Sequence, residues 1–508
     1  MEKITVKEIL KTTGGKIVSG DIKASFTRIS TDTRTVKKGD LFIALKGKKF
    51  DAHDFLGKAV AGGATGLLIN RSSKLSTHLE GGRDLAQSDR LGGKAQSSKV
   101  KGNNQQPATS NQQPVVIRVK DTLRAMQDIA HFCRMRRRIP VICVTGSNGK
   151  TTTKEIIWSI LGAKFGRRRV LKNRGNFNNE FGVPLTLFGL GRRHKAAVLE
   201  LGTNAYGEIR RLVEIARPTA GVVTNIGLSH IEGLKSMGGV AREKFSLIKG
   251  LQAGGTAVLN ADDAMTRRWI RSGNKPPSVR LVFYGICDCV RNHTFDKRGS
   301  VYASDIKISG CKSSFRLRLG SKTLEIKLPL PGLFNVYNAL AGAAAGSSLG
   351  IRAELIKKGI ESAESLPMRM EVKRRGGITM INDAYNANPS SVRQAVSFLG
   401  ELPGKRKIFV LGDMLELGRL AIPAHKKISD DIKRAGVDML FTLGKLARVT
   451  AGKFALKGGR ARAFTDKTEL IKELKREVRR GDTLLAKGSR KAKMEEVLDA
   501  LSFVVPSS

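Results

Sequence analysis

Residues Ile139–Lys164 read IPVICVTGSNGKTTTKEIIWSILGAK, and the order of residue types in that stretch decides the fold. Pro140 to Val144 is a short apolar, β-branched run of the kind that forms a buried parallel strand. Ile156, Ile157, Ile160 and Leu161 then recur at helical spacing. Between them Gly146, Ser147, Asn148, Gly149, Lys150, Thr151 and Thr152 form a turn whose glycines let backbone N–H groups close around phosphate oxygens at a helix N-terminus. Lys150 supplies a cation for the β- and γ-phosphates, and the Thr151 hydroxyl is a ligand for Mg²⁺. The strict phosphate-loop pattern wants glycine where Val144 stands, but a bland glycine turn would seldom also place Lys-Thr at the start of a helix after a strand. The stretch predicts nucleoside triphosphate binding.

The rest of the chain supports a large globular protein. At 508 residues the prior is about three domains. Hydrophobic residues make up 40%, enough for several cores. The N-terminus has no basic region followed by an apolar core, so no export signal is expected. The one long uncharged stretch, Leu328 to Ile351, is interrupted by Pro329, Pro331, Asn335, Asn338 and four glycines. It reads as a loop entering a buried, small-residue helix, so no membrane insertion is expected. Cys133, Cys143, Cys287, Cys289 and Cys311 are scattered, and Cys287 with Cys289 has no matching pair at zinc spacing. Reduced thiols of a cytoplasmic protein are the expectation.

A formal charge of +47, from 91 Lys+Arg against 44 Asp+Glu, would attract any polyanion. The basic residues are nevertheless dispersed, only five Tyr and two Trp are present for base stacking, and no nucleic-acid motif occurs. A cationic surface that draws in anionic small substrates is expected, with nucleic acid not a partner. Arg134 to Arg138 and Arg167 to Arg169 are the densest clusters and read equally as solvated faces.

Before the phosphate-loop strand, Leu41 to Leu45 and Gly66 to Ile69 read as strands with a short helix, Phe55 to Ala61, between them. Apolar alternation is weak before Ser30. From Ser72 to Pro114 the chain is rich in Ser, Gly, Gln, Asn and Lys, and cannot bury enough surface to offset its ordering entropy, so a disordered insertion is expected. Val115 to Val119 resumes a strand, and Asp121 or Thr122 caps a helix to about Arg136.

After the phosphate loop, strands are expected at Ala196 to Glu200, Gly221 to Ile226 and Thr256 to Asn260. Glu200 and His230 fall at strand ends, where doubly wound sheets gather ligands. A carboxylate there suits Mg²⁺. Alone, though, Glu200 reads equally as a capped loop carboxylate, His230 as a hydrogen-bonded loop histidine and Lys244 as a solvated helix lysine. Residues from Asp296 to Leu330 alternate as antiparallel strands. A second βα series then runs through Ile378 to Ile381, Lys407 to Leu411, Met439 to Leu443 and Asp482 to Ala486, with no phosphate loop of its own.

Taken together, the motifs resemble the Mur ligase family. The set comprises Thr31-Asp32-Thr33-Arg34, Lys46-Gly47, Asp51 to Phe55, the phosphate loop, Gly175 to Pro184 and Glu200-Leu201-Gly202. It continues with Pro331-Gly332, Asn335 and Asn338, Asp383 to Asn388, Gly412 to Gly418 with His425, and Lys487 to Arg490. The resemblance implies an α/β protein of three domains: a small N-terminal substrate domain over 1–122 carrying the 72–114 insertion, a central parallel-sheet ATPase domain over 123–366, and a C-terminal Rossmann-like domain over 367–508.

It also implies ATP-dependent ligation of D-alanyl-D-alanine to UDP-N-acetylmuramoyl-tripeptide through an acyl phosphate, by a monomer in the bacterial cytoplasm. On this resemblance Thr31, Asp32, Thr33 and Arg34 hold the UDP end, while Asn178, Asn179, Tyr385, Asn386 and Asn388 lie near the muropeptide and acceptor. Asn335, Arg369 and Asp383 join the loop in holding ATP. Lys150, Glu200, His230 and Lys244 are the catalytic group, with Thr151, Glu200, His230 and a carbamylated Lys244 as Mg²⁺ ligands. Two other ligases were weighed. The one adding the third stem residue carries an Asp-Asn/Asp-Pro-Arg motif that is absent here, and folylpolyglutamate synthase would lack the Thr31 to Phe55 pattern. A basic nucleic-acid-binding ATPase would explain the charge but not the Asp383 to Asn388 and Lys487 to Arg490 motifs.

Overall fold

The computed structural model describes residues 1–47, 50–70, 113–274, 276–286 and 300–501. All but the last two residues of the Ser72 to Pro114 insertion, together with Cys287 and Cys289, lie outside the described residues. Two compact units form: residues 1–138 with 180–193, and residues 139–179 with 194–508.

The first unit has a five-stranded sheet in the order Lys16–Ser19, Val115–Val119, Ala64–Asn70, Asp40–Ile43, Ile29–Ser30, with a small ladder of Ile4–Thr5 on Ser25–Phe26. Ala64–Asn70 and Val115–Val119 pair in parallel, so the insertion joins two neighbouring strands. The sequence reading missed helix Val6–Thr13 because it is short. Its signal is a capping box, with Thr5 Oγ1 accepting from the Glu8 amide and Glu8 accepting from the Thr5 amide, ahead of buried Val6 and Ile9. Asp121 caps helix Thr122–Met135 as expected, and that helix lies in this unit.

The second unit holds two sheets, one on each side of residue 366. The larger runs Lys322–Leu328, Lys312–Leu319, Val301–Ser309, Arg280–Ile286, Thr256–Asn260, Ala220–Val223, Val141–Thr145, Ala196–Glu200, Val170–Lys172. Its first three strands form the antiparallel edge expected from their alternation, and the others are parallel. Val141–Thr145 lies between Ala196–Glu200 and Ala220–Val223, while the strand that follows it in sequence, Val170–Lys172, is at the edge beyond Ala196–Glu200. The chain therefore changes direction across the sheet at the phosphate-loop strand, which opens a crevice at its carboxyl end.

Helix Lys150–Phe165 packs under Leu333–Ser348, the buried small-residue helix that the sequence predicted. The small residues are needed for that approach. A Cβ on Gly342 would lie 2.6 Å from Ile156 Cγ2, and one on Gly346 would lie 3.0 Å from Ile160 Cγ2. Among the described residues no helix is long and apolar enough to cross a membrane.

The smaller sheet runs Glu371–Arg375, Ile378–Asn382, Thr483–Lys487, Lys407–Gly412, Met439–Leu443, Arg460–Phe464, parallel except for its first strand. Helices cover both faces around cores containing Phe398 and Phe409 on one side and Phe441 and Leu484 on the other. The edge strands Glu371–Arg375, Arg460–Phe464 and Val170–Lys172 escaped the sequence reading, because exposed and charged edge positions break the apolar run on which it relies.

Candidate active site

The phosphate loop is shaped by its neighbours as much as by its own glycines. Gly146 has φ +149° and Gly149 φ +79°; a Cβ on the first would lie 1.9 Å from Thr224 Oγ1 and one on the second 2.2 Å from Asn338 Oδ1. The strand expected to reach Ile226 stops at Val223, because Thr224 and Asn225 turn their side chains into the loop. Thr224 Oγ1 donates to the Asn148 carbonyl at 2.6 Å, and the Asn225 carboxamide closes on the Asn148 backbone at 3.0 and 3.1 Å. Ser147 Oγ exchanges hydrogen bonds with the Gly227 backbone at 2.8 and 2.9 Å. Lys150 Nζ folds over the turn and donates to the Gly146 carbonyl at 2.8 Å, which places the cation where phosphate oxygens would lie.

Glu200 ends the neighbouring strand and is 3% exposed. Asn173 fixes its backbone, accepting from the Glu200 amide and donating to its carbonyl, both at 2.9 Å. Asn178 donates to Oε1 at 2.8 Å, so this residue, expected beside the muropeptide, holds the carboxylate. Oε2 is buried with no hydrogen-bond partner among the described residues. Burial would raise the carboxyl, but Lys150, Arg369, Lys154 and the Thr151 hydroxyl outweigh it and hold it below the usual carboxylate range. Burial also lowers the Lys150 ammonium, against the opposing pull of Glu200. A buried, ionised carboxylate with one unpartnered oxygen beside a threonine hydroxyl fits a hard divalent cation.

Lys244 is 1% exposed on helix Met237–Lys249. Burial, followed by the charge of Lys150, pushes its amine well below the ordinary lysine range despite Glu243 and Glu200. Adjacent Glu243 is engaged elsewhere, accepting from the amides of Gly207 and Ile209 at 2.8 and 2.7 Å. His230, in a left-handed conformation with φ 53°, faces Glu416 of the smaller sheet, Nδ1 to Oε2 2.7 Å, off the hydrogen-bonding direction. Among the described residues no three His, Cys, Asp or Glu side chains gather as a metal set.

Around the smaller sheet, Asp383 pairs with buried Lys487 and accepts from the Met370 amide at 3.2 Å. Met368 and Met370 both have positive φ, 57° and 53°, and between them Arg369 lies over the Tyr385 ring at 3.9 Å. Asp383 and Tyr385 therefore set Arg369, whose charge reaches Lys150 and Glu200. Asn386 supplies a carbonyl to Lys487 at 3.0 Å. Asn388 caps helix Pro389–Glu401 and donates to Asn148 Oδ1 at 2.7 Å. Asn335, expected on the adenine side, donates to the Pro331 carbonyl at 2.7 Å and accepts from Asn338 at 3.0 Å.

In the first unit, the Thr31 to Arg34 loop closes on itself. Asp32 accepts from the Arg34 amide at 3.0 Å and pairs with its guanidinium at 2.7 Å, leaving the Arg34 side chain 87% exposed. His53 is a clamp, accepting from the Asn70 amide at 3.2 Å and facing Asp51 at 2.5 Å.

The family models described as Mur ligase catalytic domain, middle domain and glutamate ligase domain match residues 25–134, 144–346 and 368–490. The UDP-N-acetylmuramoyl-tripeptide--D-alanyl-D-alanine ligase of Escherichia coli is 34% identical over 504 residues, 99% of each chain. The chain belongs to the Mur ligase family. Among solved Mur ligases, MurF from Acinetobacter baumannii is 28% identical with TM-score 0.82, covering 99% of both chains. The fold also matches MurF from Thermotoga maritima, solved in complex with ADP, at 24% identity and TM-score 0.74 over 94% of this chain and 97% of that one.

Within this Mur ligase, Asn173, Thr224, Asn225, Ser390 and Glu416 were missed as parts of the site. Polar residues directly after strand ends were the available signal, but which loop each one reaches depends on strand order.

Proposed function

We propose that this chain joins the terminal carboxylate of UDP-N-acetylmuramoyl-tripeptide to the amine of D-alanyl-D-alanine, converting ATP to ADP and phosphate. The observation that carries this reading is likeness to ligases of that one name along 99% of both chains. The buried Lys150, Glu200 and Lys244 group at the carboxyl ends of parallel strands supplies a matching chemistry. The reaction takes place in the bacterial cytoplasm, and the enzyme works as a monomer. Cys133 and Cys311, which form no disulfide among the described residues, suit that reducing compartment.

A carboxylate is a poor acyl donor, so one of its oxygens attacks the γ-phosphorus in line and the bond to the β-bridging oxygen breaks. ADP leaves and an acyl phosphate forms. The dipeptide amine then adds to the acyl carbon, loses a proton, and the tetrahedral intermediate expels phosphate as the amide forms. Lys150 and the loop amides hold the β- and γ-phosphates, and Arg369 adds positive charge on the same side. Thr151 and the unpartnered oxygen of Glu200 would hold Mg²⁺, which would supply further charge compensation there. Lys244, whose amine burial pushes well below the ordinary lysine range, can add CO₂ with loss of a proton and become an anionic ligand. His230 meets Glu416 where the two sheets of this unit face each other, and the Thr31 to Arg34 loop takes the UDP end.

The test is phosphate release from ATP with each acceptor present or withheld. Release that requires both UDP-muramoyl-tripeptide and D-alanyl-D-alanine is expected; release that ignores the dipeptide would defeat the reading.

A further inference from the structure

A phosphate loop uses its backbone amides on phosphate, so the side chain of its middle residue is open to another use. Here that residue is Asn148, and its carboxamide enters a closed ring of three hydrogen bonds. Asn148 Nδ2 donates to Ser390 Oγ at 2.7 Å, Ser390 Oγ donates to Asn388 Oδ1 at 2.9 Å, and Asn388 Nδ2 donates to Asn148 Oδ1 at 2.7 Å. Each member gives one proton and takes one, an arrangement in which the bonds polarise one another in the same sense.

The partners are rigidly held. Asn388 Oδ1 also accepts from the Ser391 amide at 2.9 Å as the cap of helix Pro389–Glu401. The Asn148 backbone, by contrast, is tied to Thr224 and Asn225 of the larger sheet. One residue thus has its main chain anchored on the nucleotide sheet and its side chain anchored on the smaller one. It lies immediately before Gly149, where a Cβ would collide with Asn338, and two before Lys150. Ser147 and Gly227 flank the same junction, with Ser390 Oγ 3.0 Å from where a Cβ on Gly227 would stand.

We propose that Asn148 is a positioning residue that reports the seating of helix Pro389–Glu401 to the phosphate loop, so that Lys150 takes its productive place only when the ring with Asn388 and Ser390 is closed. The proposal rests on the ATP-dependent ligase reading and adds to it a named coupling between the two sheets. It makes the ring a requirement of phosphoryl transfer and not of nucleotide binding. Asparagine is then specified at 148 by geometry, since aspartate lacks the donor and serine lacks the reach and the second atom.

The experiment uses the full chain and the variants N148A, N388A, S390A and N148A/S390A. Turnover is measured with ATP and both acceptors, and affinity is measured for a non-hydrolysable ATP analogue alone. Each single variant is expected to lower kcat on the order of tenfold, as for the loss of one or two buried hydrogen bonds, with analogue affinity changed by less than about twofold. The double variant should be no slower than the worse single, because both break the same ring. S390A removes only a half-buried hydroxyl, so it keeps the test informative if an asparagine variant folds poorly. Losses that multiply in the double variant, or weakened analogue binding with kcat intact, would overturn the proposal. A wild-type chain with no dipeptide-dependent phosphate release would instead defeat the ligase reading, whatever the variants do.

Discussion

Glu200 and Asp383 lie at the carboxyl ends of parallel strands in the two sheets of the second unit, yet they are finished in opposite ways. Around Glu200 the cations Lys150, Lys154 and Arg369 act at a distance, Asn178 occupies one oxygen, and the other oxygen has no hydrogen-bond partner among the described residues. Asp383 has Lys487 directly on it and the Met370 amide alongside. A buried carboxylate left incomplete is waiting for a reagent, whereas a completed one fixes its neighbours. On the proposed reaction the first would serve the chemistry, and the second would help to place Arg369 through the Met370 amide.

That contrast breaks most sharply at Lys150. Lys150→Ala should lower kcat on the order of 10³-fold or more, as for loss of a principal charge at a transferring group, while the fold is retained, because the hydrogen bonds of the lysine are to its own loop and Arg369 and Lys154 still face Glu200. Activity retained within tenfold would remove Lys150 from the reaction. Glu200→Gln keeps the Asn178 contact and the volume but removes the charge. Turnover should fall on the order of 10²-fold or more, with the Mg²⁺ concentration for half-activity raised; an unchanged Mg²⁺ dependence would mean that the open oxygen serves no cation.

Asp383 should behave in the reverse sense. Lys487→Met leaves a buried carboxylate uncompensated, which costs about 3–5 kcal/mol of stability, and Asp383→Asn in the same chain should restore part of it. If Lys487→Met unfolds at the wild-type temperature, the pair does not stabilise the structure. A buried histidine supplies a gentler test of the same half. His425, within helix Ala421–Arg434, accepts from the Met414 amide at 3.1 Å and faces Thr450 Oγ1 at 2.9 Å. Burial lowers its pKa to about 4. The unfolded chain, titrating near 6.5, binds more protons between those values, so stability is full above about pH 6.5 and is lost as pH falls through 4. The loss is roughly 3 kcal/mol. His425→Gln should flatten that acid limb in urea titrations, and an unchanged limb would assign it to other groups.

Much of this was legible in the sequence because the nucleotide half is built from strong local signals. The strands Val141–Thr145, Ala196–Glu200 and Ala220–Val223 are short, mostly apolar runs, and Lys150 and Thr151 follow a glycine turn between a strand and a helix. What was not legible is pairing. Asn178 reads as a residue of a polar loop, and only its return beneath Val141–Thr145 and Ala196–Glu200 shows that it holds Glu200. Asp383 was expected on ATP because the resemblance gives a position but not which neighbour neutralises it. His230 was expected at the metal, and its contact with Glu416, far away in sequence, depends on how the two sheets are packed.

The smallest expected effect is also the most discriminating for Arg369. Its guanidinium reaches toward the phosphate loop from a segment with two left-handed methionines, conformations that cost free energy unless something over-determines them. The Tyr385 ring 3.9 Å away and the Asp383 contact to Met370 are the constraints present. A ring face stabilises a guanidinium by about 0.5–2 kcal/mol. Tyr385→Leu, which keeps an apolar wall without the π face, should therefore reduce kcat about threefold to tenfold. Tyr385→Phe, which keeps the ring and removes only the hydroxyl, should remain within about twofold. If Phe loses as much as Leu, the hydroxyl contacts substrate and Tyr385 acts directly; if neither changes turnover, Arg369 is placed by Asp383 alone, and the completed carboxylate does by itself what we have divided between two residues.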